Sequence, residues 1–165
     1  MTSYDMSTEQ RVARLEEIIG WVFEDQLIAV ECLNHGRQPI VFNGSSTIFQ
    51  KNERLAVLGD SLLDTTLITK WYSSRSDEDT ALSKGQWNAC IRNDLVTNER
   101  LAERGRKLGL DLCVIGDWGT ANVSNGMVAT TFEAAIAAIY LDSGKSLYAV
   151  ESAMKKLGFF DHPLF

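Results

Sequence analysis

The chain has 165 residues, 45% of them apolar and 23% charged, which suits one globular domain with a real core. No apolar run approaches the roughly 20 residues of a membrane-spanning helix, so no membrane partner is expected. The net charge of −6 argues against tight binding to nucleic acid, because phosphates are held by clustered Lys and Arg.

Residues 1–10 carry Asp5 and Glu9 and no cation, unlike a secretory signal or an Arg-rich transit peptide. A cytoplasmic or nuclear location is the expectation, with a mitochondrial one left open. Cys32, Cys90 and Cys113 are scattered and form no C-x-x-C pair, so each is read as a small apolar residue rather than a zinc or disulfide ligand.

Helical signals dominate along the chain. Ser7 with Gln10 makes a capping-box pattern, opening an amphipathic run to about Trp21. Asp25 is placed to cap a short helix over 26–33. Residues 35–50, with Gly36, Pro39 and Gly44, read as a long connection. Within it Ile40-Val41-Phe42 has the composition of a strand, but no partner strand is evident. The longest helix is expected over 52–73, with Leu55, Leu58, Leu62 and Thr66 at three- and four-residue steps on one face. A polar loop over 74–80 leads to helices over 81–92 and 94–108, the second stopped by Gly109 in a left-handed conformation. Residues 116–126 are a Gly- and Asn-rich loop in which Trp118 is the candidate lid of a pocket. Helices over 127–141, stopping near Gly144, and over 147–157, closed by Gly158, complete an all-α domain.

Four stretches in order carry a specific resemblance. Asn52-Glu53-Arg54-Leu55-Ala56-Val57-Leu58-Gly59-Asp60-Ser61 resembles the signature of the ribonuclease III family, N-E-R-L-E-F-L-G-D-[SA]. Val12 to Phe23 is similar to that family's opening helix. Leu95-Val96-Thr97-Asn98-Glu99-Arg100-Leu101-Ala102, followed by Leu108-Gly109-Leu110, is similar to its L-V-[NS]-N-x-x-L-A and L-G-L elements. Phe132-Glu133-Ala134-Ala135 through Tyr140-Leu141-Asp142-Ser143-Gly144 is similar to its second metal-binding helix. The resemblance implies a helical ribonuclease III-like domain, here one domain over 1–165 without the double-stranded-RNA-binding domain that many members append.

It also implies a magnesium site, and this chain departs from the family pattern there. The family's four core carboxylates fall at 56, 60, 130 and 133. Asp60 and Glu133 are present, while Ala56 and Thr130 stand in for a glutamate and an aspartate. Magnesium takes hard oxygen ligands and keeps several waters, so two carboxylates are expected to hold it weakly. Glu53, Ala56 and Asp60 share one helical stripe, and Asp64, four residues after Asp60, is the candidate substitute ligand. Glu53 and Arg54 alternatively form a helix-start carboxylate and its ion-pair partner. Asn98 is expected to make interhelical hydrogen bonds. His35 and His162 have no Ser or Cys partner at a recognisable spacing and read as loop histidines.

Family members pair through the signature helix, where an aromatic plugs a socket on the partner. Val57 holds that position here, and Leu58 and Leu62 stay apolar, so a homodimer through this helix is expected. The function implied is RNA processing with weak or absent magnesium-dependent cleavage of double-stranded RNA. The alternatives are a non-catalytic module of a ribonucleoprotein complex and a fold retasked for small-molecule chemistry in the old metal cleft, since fold does not fix function.

Overall fold

The computed structural model describes residues 6–118 and 122–165. Local signals set the first two helices. α1 (Thr8–Ile19) begins at Ser7 with both halves of the capping box formed, and α2 (Gln26–Leu33) begins at Asp25, whose side chain accepts from the Leu27 N–H.

The connection after α2 holds a hairpin that the sequence reading left without its second strand. β1 (Ile40–Phe42) pairs antiparallel with β2 (Ser45–Thr47), with Ile40 opposite Thr47 and Phe42 opposite Ser45. Asn43 (φ 49°) and Gly44 (φ 77°) make the two-residue turn, and left-handed backbone at both positions matches the twist of a tight hairpin. Every residue of β2 is exposed, so no apolar alternation marked it.

α3 (Glu53–Ser73) is the long helix. It buries Leu55, Ala56, Leu62, Leu63, Thr66 and Leu67, while Leu58 is partly buried and Val57 is 73% exposed. The next helical region differs from the two runs expected. It starts later, at Ser83, which caps α4 (Lys84–Gln86). It then passes through a π-helical turn (Trp87–Arg92) into α5 (Asn93–Leu95). Val96 (φ −124°, ψ 10°) breaks the helix, and Thr97 caps a new one, α6 (Asn98–Leu108). Thr97 is extended and accepts from the Arg100 N–H, so the cap wins over the continuous run predicted for 94–108. Gly109 (φ 79°) ends α6 in the left-handed region as expected, ahead of a 3-10 turn (Leu110–Leu112).

α7 (Asn125–Asp142) and α8 (Leu147–Lys156) follow, each capped by a serine, Ser124 and Ser146. α7 buries Val128, Ala129, Thr131, Phe132 and every residue from Ala134 to Ile139, so it is apolar nearly all round and forms the axis of the core. It packs against α2, α3, α6 and α8. Two small residues let its neighbours close in. A Cβ at Gly59 of α3 would run into the Glu133 carbonyl oxygen, and one at Gly105 of α6 would run into Val128. Phe132 stacks edge-on against Phe159 at 5.7 Å, and Arg104 lies over that ring while donating to the Leu157 carbonyl. Among the described residues no helix is long and apolar enough to cross a membrane.

Candidate functional site

A close backbone approach between α3 and α7 sets the site. Because Gly59 abuts the Glu133 main chain, the next residue on α3, Asp60, comes to the same level as Glu133 on α7. Asp60 is exposed and Glu133 half-buried. The Glu133 carboxyl is pushed up to about 7, first by burial and then by the negative charge of Asp60. Of the α3 carboxylates, Asp60 is the one whose charge raises it.

Ala56, one turn before Asp60, is buried at 6% exposure, and Thr130, one turn before Glu133, is half-buried. Neither supplies a charge. Among the described residues no group of three His, Cys, Asp or Glu side chains is arranged to hold a metal ion. The pair still suits a hard dication, because two carboxylates are held where their charges repel, and a cation between them would relieve that repulsion. Asp60 and Glu133 are the residues that would hold it.

The other candidates sit elsewhere. Asp64 faces Arg92 of the π-helical turn at 3.6 Å, and its second oxygen is buried without a hydrogen-bond partner among the described residues. Glu53 is exposed in the first turn of α3, where the helix dipole favours a carboxylate. Arg54 does not pair with it; its charge acts on Glu31 of α2. Asn98 is exposed at the start of α6, and the interhelical hydrogen bonds expected of it are not formed among the described residues. Asp142 is occupied as an acceptor for Trp21 Nε1 and for the Glu24 and Asp25 backbone N–H groups. It fixes the α1–α2 connection to the end of α7.

His162 lies by Asp94 at 3.2 Å. His35 is not a simple loop histidine: it belongs to a buried cluster with Asn52 and Thr131. No spacing flagged it, because its partners lie 17 and 96 residues away in the chain. Trp118, 83% exposed, stands at a cavity of about 380 Å³ lined also by Pro39, Ile40 and Ile115. Residues 119–121 of its loop lie outside the described residues. Cys32 and Cys113 are buried, and burial pushes both thiols up; Cys90 is half-buried.

Comparison with known proteins gives the same picture of the chain. A family model described as Ribonuclease-III-like matches residues 33–157. Ribonuclease 3 of Rhodopirellula baltica is 33% identical over 140 residues, 83% of this chain and 48% of that protein. Ribonuclease 3 of Symbiobacterium thermophilum is 30% identical over 137 residues, 81% of this chain and 54% of that protein. This chain thus spans about half the length of the curated relatives it matches. The nuclease domain of a ribonuclease III from Campylobacter jejuni superposes with a TM-score of 0.68 at 22% identity, covering 89% of this chain and 96% of that one. That structure was described for flexibility in a region involved in dimer formation. With the helical core, the α3–α7 contact at Gly59 and these matches together, the chain belongs to the ribonuclease III-like family.

Proposed function

We propose that this domain works in RNA processing as a ribonuclease III-like protein whose magnesium site is reduced to Asp60 and Glu133. The observation that carries the reading is the pairing itself: two acids are kept at one level of the α3–α7 seam although Asp60 raises the Glu133 carboxyl. A bound magnesium ion would supply electrostatic stabilisation and an activated water for phosphodiester hydrolysis. With Ala56 and Thr130 in place of carboxylates, the ion is held weakly and cleavage of double-stranded RNA is slow or absent.

The surface supports the second half of that statement. Arg11, Arg104 and Arg106 each donate to main-chain carbonyls, bracing loops. Arg100 and Lys107 both pair with Glu103. Few cations of α6 remain to meet a phosphate backbone, which lowers the expected affinity for duplex RNA.

Self-association through α3 is part of this proposal. Leu62 is buried in its own core, so the face offered to a second copy is Val57, Ser61, Ile68 and Tyr72, exposed on one side of the helix. The structural neighbour from Campylobacter jejuni was described for a region involved in dimer formation, which supports self-association as part of this reading.

A second reading rests on Glu133 alone: a carboxyl near 7 is suited to general acid or base work at neutral pH, as a retasked small-molecule enzyme would need. One experiment separates the readings. Magnesium is titrated into the protein by calorimetry, and double-stranded RNA cleavage is assayed for the wild type and for Ala56→Glu with Thr130→Asp. The double variant should bind magnesium about tenfold or more tightly, because two hard ligands are added. Robust magnesium-dependent cleavage by the wild type, lost in Asp60→Asn, overturns the reduced-site reading. No magnesium binding by either protein leaves a non-catalytic module of a ribonucleoprotein complex.

A further inference from the structure

A buried polar cluster lies where α2, α3 and α7 meet, separate from Asp60 and Glu133. Asn52, directly before α3, is fully buried, as is Thr131 of α7. The Asn52 side-chain Nδ2 donates to the Cys32 carbonyl at 2.9 Å, lies 2.9 Å from His35 Nε2 and reaches Thr131 Oγ1 at 3.4 Å. His35 Nε2 also meets the Thr131 hydroxyl at 2.9 Å.

These contacts assign the protons. A carbonyl only accepts, so the Cys32 contact fixes which end of the Asn52 amide points at His35. His35 Nε2 is therefore the acceptor, and the neutral ring carries its proton on Nδ1, with the Met127 main chain as the partner that favours a proton. The other end of the amide, Asn52 Oδ1, is buried with no hydrogen-bond partner among the described residues. Buried acceptors are seldom left in that state.

We propose that His35 and Asn52 form a two-position proton latch. In the neutral position the ring holds the Asn52 amide nitrogen, which ties the end of α2 to the start of α3. When a proton from solvent adds to Nε2, donor faces donor. The Asn52 side chain then turns over, its Oδ1 accepts from the new N–H, and the Cys32 carbonyl is released.

The surroundings favour the neutral position. Burial opposes the proton most strongly and Lys51 opposes it too, while Glu53 favours it. From α7 the ring meets the neutral Thr131 hydroxyl and the Met127 main chain, while the Cys32 thiol of α2, which burial keeps protonated, lies against the Thr131 main chain. On the remaining side its backbone N–H donates to the Ile115 carbonyl. His35 is thus held below its ordinary value of 6.5. The latch adds stability above that pH and loses it as pH falls through the folded-state midpoint.

The chain has two histidines, so a His162→Gln variant assigns both ring resonances by NMR. The latch predicts that His35 titrates below 6.5 from an Nδ1–H tautomer. The Asn52 side-chain amide should shift with the same midpoint, and protection of the Asn52 and Ala56 backbone amides should fall about tenfold across it, but not in His35→Gln. Asn52→Asp offers two acceptors and should move the His35 midpoint upward. A His35 midpoint at or above 6.5, an Nε2–H tautomer, or an Asn52 amide indifferent to the titration overturns the latch. The wild-type titration decides the matter even where a variant does not fold.

Discussion

Replacing Glu133 by Gln keeps the shape of the side chain and removes its charge. The Glu133 carboxyl rises from 4.5 to about 7 in the fold, so its ionisation at neutral pH opposes folding. At about 1.4 kcal/mol per pH unit the full effect would be about 3 kcal/mol. Solvent reaches the half-buried group, which trims this to about 1–2 kcal/mol. The sign follows from the direction. A folded-state value raised above the unfolded one favours folding at low pH, and that contribution is lost as pH rises through 7. Urea unfolding should therefore find Glu133→Gln more stable than the wild type at pH 8, with the gap narrowing by pH 5. Saturating magnesium should close the gap at pH 8 by stabilising the wild type, since a ligand of the native state adds to its stability. A variant that gains nothing at pH 8, or a gap that does not change with pH, refutes the electrostatic reasoning about the Asp60–Glu133 pair. A gap that magnesium leaves untouched refutes the metal role and leaves the electrostatics standing.

Gly59→Ala places a methyl against the Glu133 carbonyl oxygen, and neither backbone can yield without parting the helices. A loss of about 3 kcal/mol or more in thermal or urea unfolding is expected. Asp142→Ala strands the Trp21 Nε1–H and the Glu24 and Asp25 N–H donors. It should cost about 1–3 kcal/mol, with a shift in Trp21 emission as the direct readout. Val57→Lys with Tyr72→Glu, both at exposed positions on α3, should convert a dimer to a monomer in sedimentation velocity without lowering the unfolding temperature. A wild type that sediments as a monomer at high concentration removes the dimer from the proposal. Ser7→Ala breaks the α1 capping box and should cost about 1 kcal/mol in unfolding free energy.

Short-range chemistry was legible along the chain. The Ser7–Gln10 box, the Asp25 cap and the left-handed stop at Gly109 all formed where expected, because each is a contract between residues within one turn. The helical class and the family were legible for a related reason: the apolar spacing and the Asn52–Ser61 stretch are properties of contiguous sequence. Errors arose where two local tendencies competed. Leu95 and Val96 continue an apolar pattern, yet the Thr97 cap restarts the helix. The all-polar β2 strand carried no alternation, although Asn43-Gly44 was the turn signal that could have found it.

The sequence alone determined that Ala56 and Thr130 supply no charge at the two positions where the family resemblance implies carboxylates. It could not determine what those residues meet. That Gly59 touches the Glu133 main chain, that Asp60 lifts the Glu133 carboxyl and that Asp64 is drawn to Arg92 were decided by packing between helices. The same holds for the π-helical turn, which buries Trp87 and brings it within 6.0 Å of Trp71. His35 shows the reason most plainly. The lowering of its ring pKa and its partners depend on burial beside α7 and the start of α3, and burial is a property of the assembled core that no local pattern encodes.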